Sequence, residues 1–144
     1  MKTVAQGLRV TVVDPDDDYL GIEIQARNDR FAGSTRIYAG RNELGEFADR
    51  IAGFPSHPGD ERAYEFGSLN PKVAGGYSSL RFRTIDGAGR SVLDVRLEDD
   101  GSQYAPAAAT FSFHVEAAAI DLFIQQLRAV GKRRSGEAVL ETPA

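Results

Sequence analysis

Residues 80–97 run Leu-Arg-Phe-Arg-Thr-Ile-Asp-Gly-Ala-Gly-Arg-Ser-Val-Leu-Asp-Val-Arg-Leu, two alternating segments about a glycine-rich turn. Leu80, Phe82 and Thr84 fall on one side and Arg81 and Arg83 on the other. Leu93, Val95 and Leu97 then oppose Asp94, Arg96 and Glu98. A period of two is that of a strand with one side in a core and one in water. Asp86-Gly87-Ala88-Gly89 between the two segments is a strong hairpin signal. The pattern therefore calls for an antiparallel sheet, apolar on one face and Arg-rich on the other.

The alternation extends both ways. Downstream, Ala109, Phe111, Phe113 and Val115 face inward, with Thr110, Ser112 and His114 outward. Ile120, Phe123, Ile124, Leu127 and Val130 then form the stripe of a helix that ends at Gly131, with Lys132, Arg133 and Arg134 at its negative pole. Residues 135–144 read as a loose tail to a single domain over 1–134. Upstream, Leu8, Val10 and Val12 alternate, with Val13 the one mismatch. Asp14-Pro15-Asp16-Asp17-Asp18 makes a turn, and Leu20, Ile22, Ile24 and Ala26 form a second strand. A third strand carries Phe31, Gly33, Thr35 and Ile37 on the inner side. Leu44, Phe47, Ala48 and Ile51 then change the period to that of a helix over 43–52, with Asn42 as N-cap and Gly53 after its end. Residues 55–60 are a loop, 63–68 a short strand, 69–76 a second loop, and Glu98-Asp99-Asp100-Gly101 a turn. Set 76 positions apart, Leu44 meets Ile120, Phe47 meets Phe123 and Ile51 meets Leu127, an echo of two strand–helix halves. The expected fold is α+β: one antiparallel sheet of about six or seven strands in two meanders, each followed by a helix, with the helices packed on one face.

Composition limits the function. The 17 basic and 21 acidic residues of the 144 leave a net charge of −4, which argues against nucleic acid as a partner. No run reaches the roughly 20 apolar residues of a membrane span, and the first 14 residues lack the apolar core of a secretory signal, so a cytoplasmic, membrane-free protein is expected. The absence of cysteine removes disulfides, thiolate metal sites and thiol catalysis.

No motif assembles a reaction. Gly40 and Gly45 have the spacing of a phosphate loop, but Glu46 and Phe47 occupy the lysine and hydroxyl positions. Asp14, Asp16 and Asp18 imitate a calcium loop, but Tyr19 replaces its glycine and Gln25 its bidentate glutamate. His57 and His114 have no ligand partners at helical spacing. Ser112 and His114, two apart on one strand, would stand about 7 Å from each other, too far for proton transfer. No catalytic residue, cofactor or metal is expected.

The outward positions remain. Arg27, Arg36, Tyr38, Arg81, Arg83, Arg96 and His114 are the expected partner-binding residues on one open sheet face, with Glu23, Asp94 and Glu98 among them. The guanidinium fork pairs with carboxylates and stacks on rings, so this face could recognise a protein. The same pattern also suits, and more simply, a solvated surface of cross-strand ion pairs.

Leu20-Gly21-Ile22-Glu23-Ile24, then Asn28-Asp29-Arg30-Phe31-Ala32-Gly33, the helix with Leu44 and Phe47, Arg81-Phe82-Arg83, Gly89 leading into Val92–Leu97, and Phe111-Ser112-Phe113 with its helix cover most of residues 8–130. In this order they resemble the bacterial immunity proteins of the WapI polymorphic-toxin system and their uncharacterised relatives. The resemblance implies a non-enzymatic protein that acts by binding a cognate toxin domain. The first expectation is therefore a protein-binding module with an immunity-like or adaptor role. The alternatives are a small-ligand binder or enzyme with a pocket by the 55–76 loop involving His57 and Tyr64, and a homodimer joined at a sheet edge.

Overall fold

The computed structural model describes residues 6–69, 75–99 and 105–142. Its elements are β1 (Gln6–Pro15), β2 (Tyr19–Arg27), β3 (Ala32–Gly40), α1 (Glu43–Ile51), β4 (Glu61–Gly67), β5 (Gly76–Thr84), β6 (Ser91–Asp99), β7 (Ala107–Val115), α2 (Ala117–Arg133) and β8 (Glu137–Thr142). The α+β class and the antiparallel pairing are as expected, but the strands form two sheets of four, ordered β3-β2-β1-β8 and β4-β5-β6-β7. The expectation of one sheet is corrected because β3 pairs only with β2 and then runs across the end of the second sheet. There Thr35 Oγ1 donates to the Glu98 carbonyl at 2.8 Å. A Cβ on Gly76 would stand 2.3 Å from Thr35 Oγ1 and 2.7 Å from the Arg36 carbonyl, so only glycine allows this approach.

Nor do the helices clad one face. They pack on each other, and each lies against the strand that follows it: α1 against β4 of the second sheet, α2 against β8 of the first. Leu44, Phe47, Ala48 and Ile51 of α1 are buried, as are Ile120, Phe123, Ile124, Leu127 and Val130 of α2, so both apolar stripes stand as read. They meet the buried sides of both sheets in one cluster. Phe47 is at its centre, with ring centroids 5.2 Å from Tyr64, 5.4 Å from Phe66, 5.9 Å from Phe123 and 6.4 Å from Phe82.

Several local readings change. Residues 137–142, expected within a loose tail, form β8, paired to β1 from Gln6↔Thr142 to Thr11↔Glu137. Ala138 and Leu140 are buried there, and β1 would otherwise be an open edge. Gly131 lies inside α2, where a Cβ would meet Leu44 Cβ at 3.4 Å, and the helix ends instead at Arg134, left-handed with φ 58°. Asn42 makes no side-chain cap; Glu43 Oε2 accepts from the Gly40 N–H at 2.6 Å in front of α1. Gly53, with φ 82°, takes the expected left-handed position. Phe31 is 63% exposed because it precedes β3, in a turn where Asn28 Oδ1 accepts from the amides of Arg30 and Phe31. The Val13 mismatch has a cause: pairing to β2 shifts between Val12 and Asp14, a bulge that leaves Val13 outside. Parts of the expected 69–76 loop and of the turn at 98–101 lie outside the described residues, as do 143–144. Among the described residues no helix is long and apolar enough to cross a membrane.

With β8 placed, β1-β2-β3-α1-β4 and β5-β6-β7-α2-β8 have one order, and each half gives its last strand to the other's sheet. Arg50 Nε of α1 donates to the Ala63 carbonyl of β4 at 3.2 Å, and Gln126 Oε1 of α2 accepts from the Val139 N–H of β8 at 2.7 Å. Residues 126 and 139 each lie 76 positions beyond 50 and 63, the spacing of the sequence echo.

Candidate functional site

The expected partner-binding residues are all at exposed or half-exposed positions, but not on one surface. Arg27 of β2 and Arg36 and Tyr38 of β3 lie on the outer side of the first sheet, whereas Arg81, Arg83, Arg96 and His114 lie on that of the second. The split follows from the break between β3 and β4, since alternation fixes which side of a strand is wet but not which sheet the strand joins.

On the second sheet the guanidinium groups are engaged. Arg83 Nε donates to Asp94 Oδ2 at 2.7 Å and its Nη2 to Oδ1 at 3.2 Å, a fork on one carboxylate that also accepts Ser112 Oγ–H at 2.6 Å. Arg81 donates to Glu61 of β4. Directly across the strands, Arg81 faces Asp94 and Arg83 faces Glu61, so both pairs are diagonal. Arg96 pairs with Glu98 at 2.5 Å and covers the Tyr77 ring, its Cζ 5.5 Å from the centroid. Burial opposes ionisation of Asp94, but the hydrogen bonds from Arg83 and Ser112 and the Arg81 charge outweigh it and hold the carboxyl below its usual range. The Arg81 hydrogen bond does the same for Glu61. Burial, and then the Glu65 carboxylate, push the Tyr77 hydroxyl up.

The result is a fixed lattice across four strands and not a basic patch. Sequence reading missed Glu61, Glu65, Ser112 and Tyr77 as its members. The alternation of Glu61, Ala63 and Glu65 was the available signal, but a strand start at residue 63 conceals it. His114 stands at the margin, exposed and without a polar partner among the described residues. Exposed ion pairs contribute up to about 1 kcal/mol. Asp94 keeps the Ser112 hydroxyl when the guanidinium is removed, so Arg83→Ala is expected to lower the urea midpoint only slightly and to leave the circular dichroism unchanged, keeping the face open to mutation without unfolding.

The outer side of the first sheet is sparser. Arg36 pairs with Glu23 at 3.4 Å, Arg9 with Glu137 at 3.6 Å, and Tyr19 meets Tyr38 edge to face at 5.1 Å. Among the described residues, two of the hollows are the following. One, about 320 Å³, lies between Leu69, Tyr77, Glu98, Asp99 and Pro106. The other, about 500 Å³, is lined by Glu46, Asp49, Arg50, Arg62 and Tyr64. Tyr64 lines the second hollow and donates to Glu43 Oε1 at 3.0 Å, while His57, which is not among the residues lining it, sits in the loop, Nε2 3.9 Å from Asp60. Among the described residues no group of three or more His, Asp or Glu is placed to hold a metal.

Comparison with protein-family models, curated proteins and solved structures gives no match to this chain.

Proposed function

We propose that this chain is a non-enzymatic protein-binding module that meets its partner through the outer face of the second sheet. The observation that carries the reading is the lattice of Arg81–Glu61, Arg83–Asp94–Ser112 and Arg96–Glu98 over Tyr77. Immobilising a long side chain at an interface costs about 0.5–1.5 kcal/mol, and these arginines are already held in the free protein. Arginine and tyrosine are also the side chains most enriched at protein interfaces. The resemblance to WapI-type immunity proteins supports a toxin domain as that partner and a cytoplasmic, immunity-like or adaptor role.

Arg83→Glu turns the Asp94 pair into a repulsion, whereas Arg36→Glu makes a like change on the other sheet and serves as control. In extracts of the native host, the wild type and Arg36→Glu should retain the same protein, and Arg83→Glu should retain at least tenfold less while keeping its circular dichroism. A growth-inhibiting toxin encoded beside this gene should be that protein, and co-expression should restore growth. Equal retention by all three variants, or no retained protein, overturns the reading.

A further inference from the structure

We propose that the free edge of β4 accepts a fifth strand from the protein partner, an extended segment with basic residues at alternate outward positions. The inference rests on the partner-binding reading and names where the partner's main chain goes.

Among the described residues four strands form the edges of the two sheets, and they differ in how far their outward backbone groups are engaged. β3 runs along the strand ends of the second sheet, fixed by Thr35. β7 has its Ser112 carbonyl taken by Asn28 Nδ2 at 3.1 Å and touches β3 and β8. β8 lies against the 17-residue α2, with its Val139 N–H on Gln126. β4 has the nine-residue α1 beside it and meets β3 near Gly67, but its outward backbone receives a single hydrogen bond from the helix, Arg50 to the Ala63 carbonyl. Ala63 is exposed, whereas Val139, its counterpart 76 positions on, is half-buried.

The Arg50 bond also shows which way the backbone points. In an antiparallel ladder the N–H and C=O of one residue point to the same side, and successive residues alternate. Ala63 and Glu65 therefore aim both groups away from β5, while Arg62, Tyr64 and Phe66 pair with it. The Glu61 N–H is taken by Asp60 Oδ1 at 2.8 Å. The N–H groups of Ala63 and Glu65 and the carbonyl of Glu65 have no partner among the described residues, which makes this edge a template for strand addition.

Side chains select the occupant. Glu61, Ala63 and Glu65 stand exposed along the outer side of this edge. Every self-pairing of β4 that uses Ala63 and Glu65 sets a carboxylate of one copy opposite or diagonal to one of the other, which disfavours a second copy. An incoming strand with lysine or arginine across from Glu61 and Glu65 and a small residue across from Ala63 meets opposite charges instead, at Glu65 and at the Glu61 carboxylate that it would share with Arg81. Its side chains on the other face have the hollow of about 500 Å³ between α1 and β4. Arg50 then guards the edge: it occupies one carbonyl until a strand displaces it.

The test uses the full-length, isotope-labelled chain and the acetylated, amidated peptide Thr-Lys-Val-Thr-Val-Lys-Thr, against the same peptide with glutamate for lysine. The lysine peptide should slow amide hydrogen exchange at Ala63 and Glu65 by roughly tenfold. Arg50→Ala, an exposed change with an unaltered thermal midpoint, should bind it several-fold more tightly. No slowing in either protein, or equal slowing by the glutamate peptide, overturns the inference. Loss of the native partner in Arg83→Glu with an unresponsive β4 edge leaves the binding module standing and removes only the added strand.

Discussion

Phe47→Ala is expected to cost about 3–5 kcal/mol, measured as a fall in the urea midpoint at unchanged slope. Phe47 is fully buried where α1 meets β4, β5 and α2, and its ring touches four others. Truncation removes the transfer free energy of the ring and leaves a cavity between helix and sheet. That cavity collapses poorly, because hydrogen-bonded strands hold two of its walls. The tilted and edge-to-face contacts with Tyr64, Phe66 and Phe123 add about 0.5–1.5 kcal/mol each to what burial alone gives. Phe31→Ala is the internal comparison, since that ring is 63% exposed and its loss should stay within about 0.5 kcal/mol. A Phe47→Ala loss below about 1.5 kcal/mol would show that the two sheets and helices do not converge on this ring.

The second large effect comes from a charge. Asp60 is buried, accepts from Ser56 N and Oγ at 2.8 and 3.0 Å and from Glu61 N at 2.8 Å, and holds Arg62 Nε and Nη2 at 3.2 and 3.1 Å. Arg62 Nη1 in turn donates to the carbonyls of Ala52 and Arg50 at the end of α1. Asp60 thus fixes the cation that closes the helix. Asp60→Ala leaves Arg62 Nε and Nη2 and the Ser56 and Glu61 amides without their acceptor and should cost about 3 kcal/mol at neutral pH. The hydrogen bond from the Ser56 amide, joined by those from Arg62 and the Ser56 hydroxyl, outweighs desolvation and holds the carboxyl far below its usual range. A folded-state value below the unfolded one means that the unfolded chain binds the proton first on acidification. The contribution is therefore complete above about pH 4 and declines as the pH falls toward the folded value. The stability gap between wild type and Asp60→Ala should narrow from pH 7 to about pH 3. A gap that stays constant or widens contradicts the assignment.

The elements around residues 80–97 were legible because their information is local. A period of two fixed β1, β2, β3, β5, β6 and β7 and their wet sides, and a shift to i, i+3, i+4 fixed both helix stripes, whereas the bulge behind the Val13 mismatch is set by the pairing of β1 to β2. β8 escaped because six residues with two buried apolar side chains are too short a signal, and β1, more than a hundred residues away, supplies the pairing that makes them a strand. The candidate face was legible in part. Arg81, Arg83, Arg96 and His114 did share one surface, but Arg27, Arg36 and Tyr38 went to another, and the acidic half of the lattice on β4 was overlooked.

The sequence by itself determined which side of each strand and helix is apolar, since that depends on neighbours two to four residues apart. Only the tertiary structure decided that the strands part into two sheets, that each half lends its last strand to the other, and that Arg81 and Arg83 are paired with carboxylates from neighbouring strands. Those outcomes are set by long-range pairing, in which a strand of given pattern fits many partners equally well until the whole core is closed.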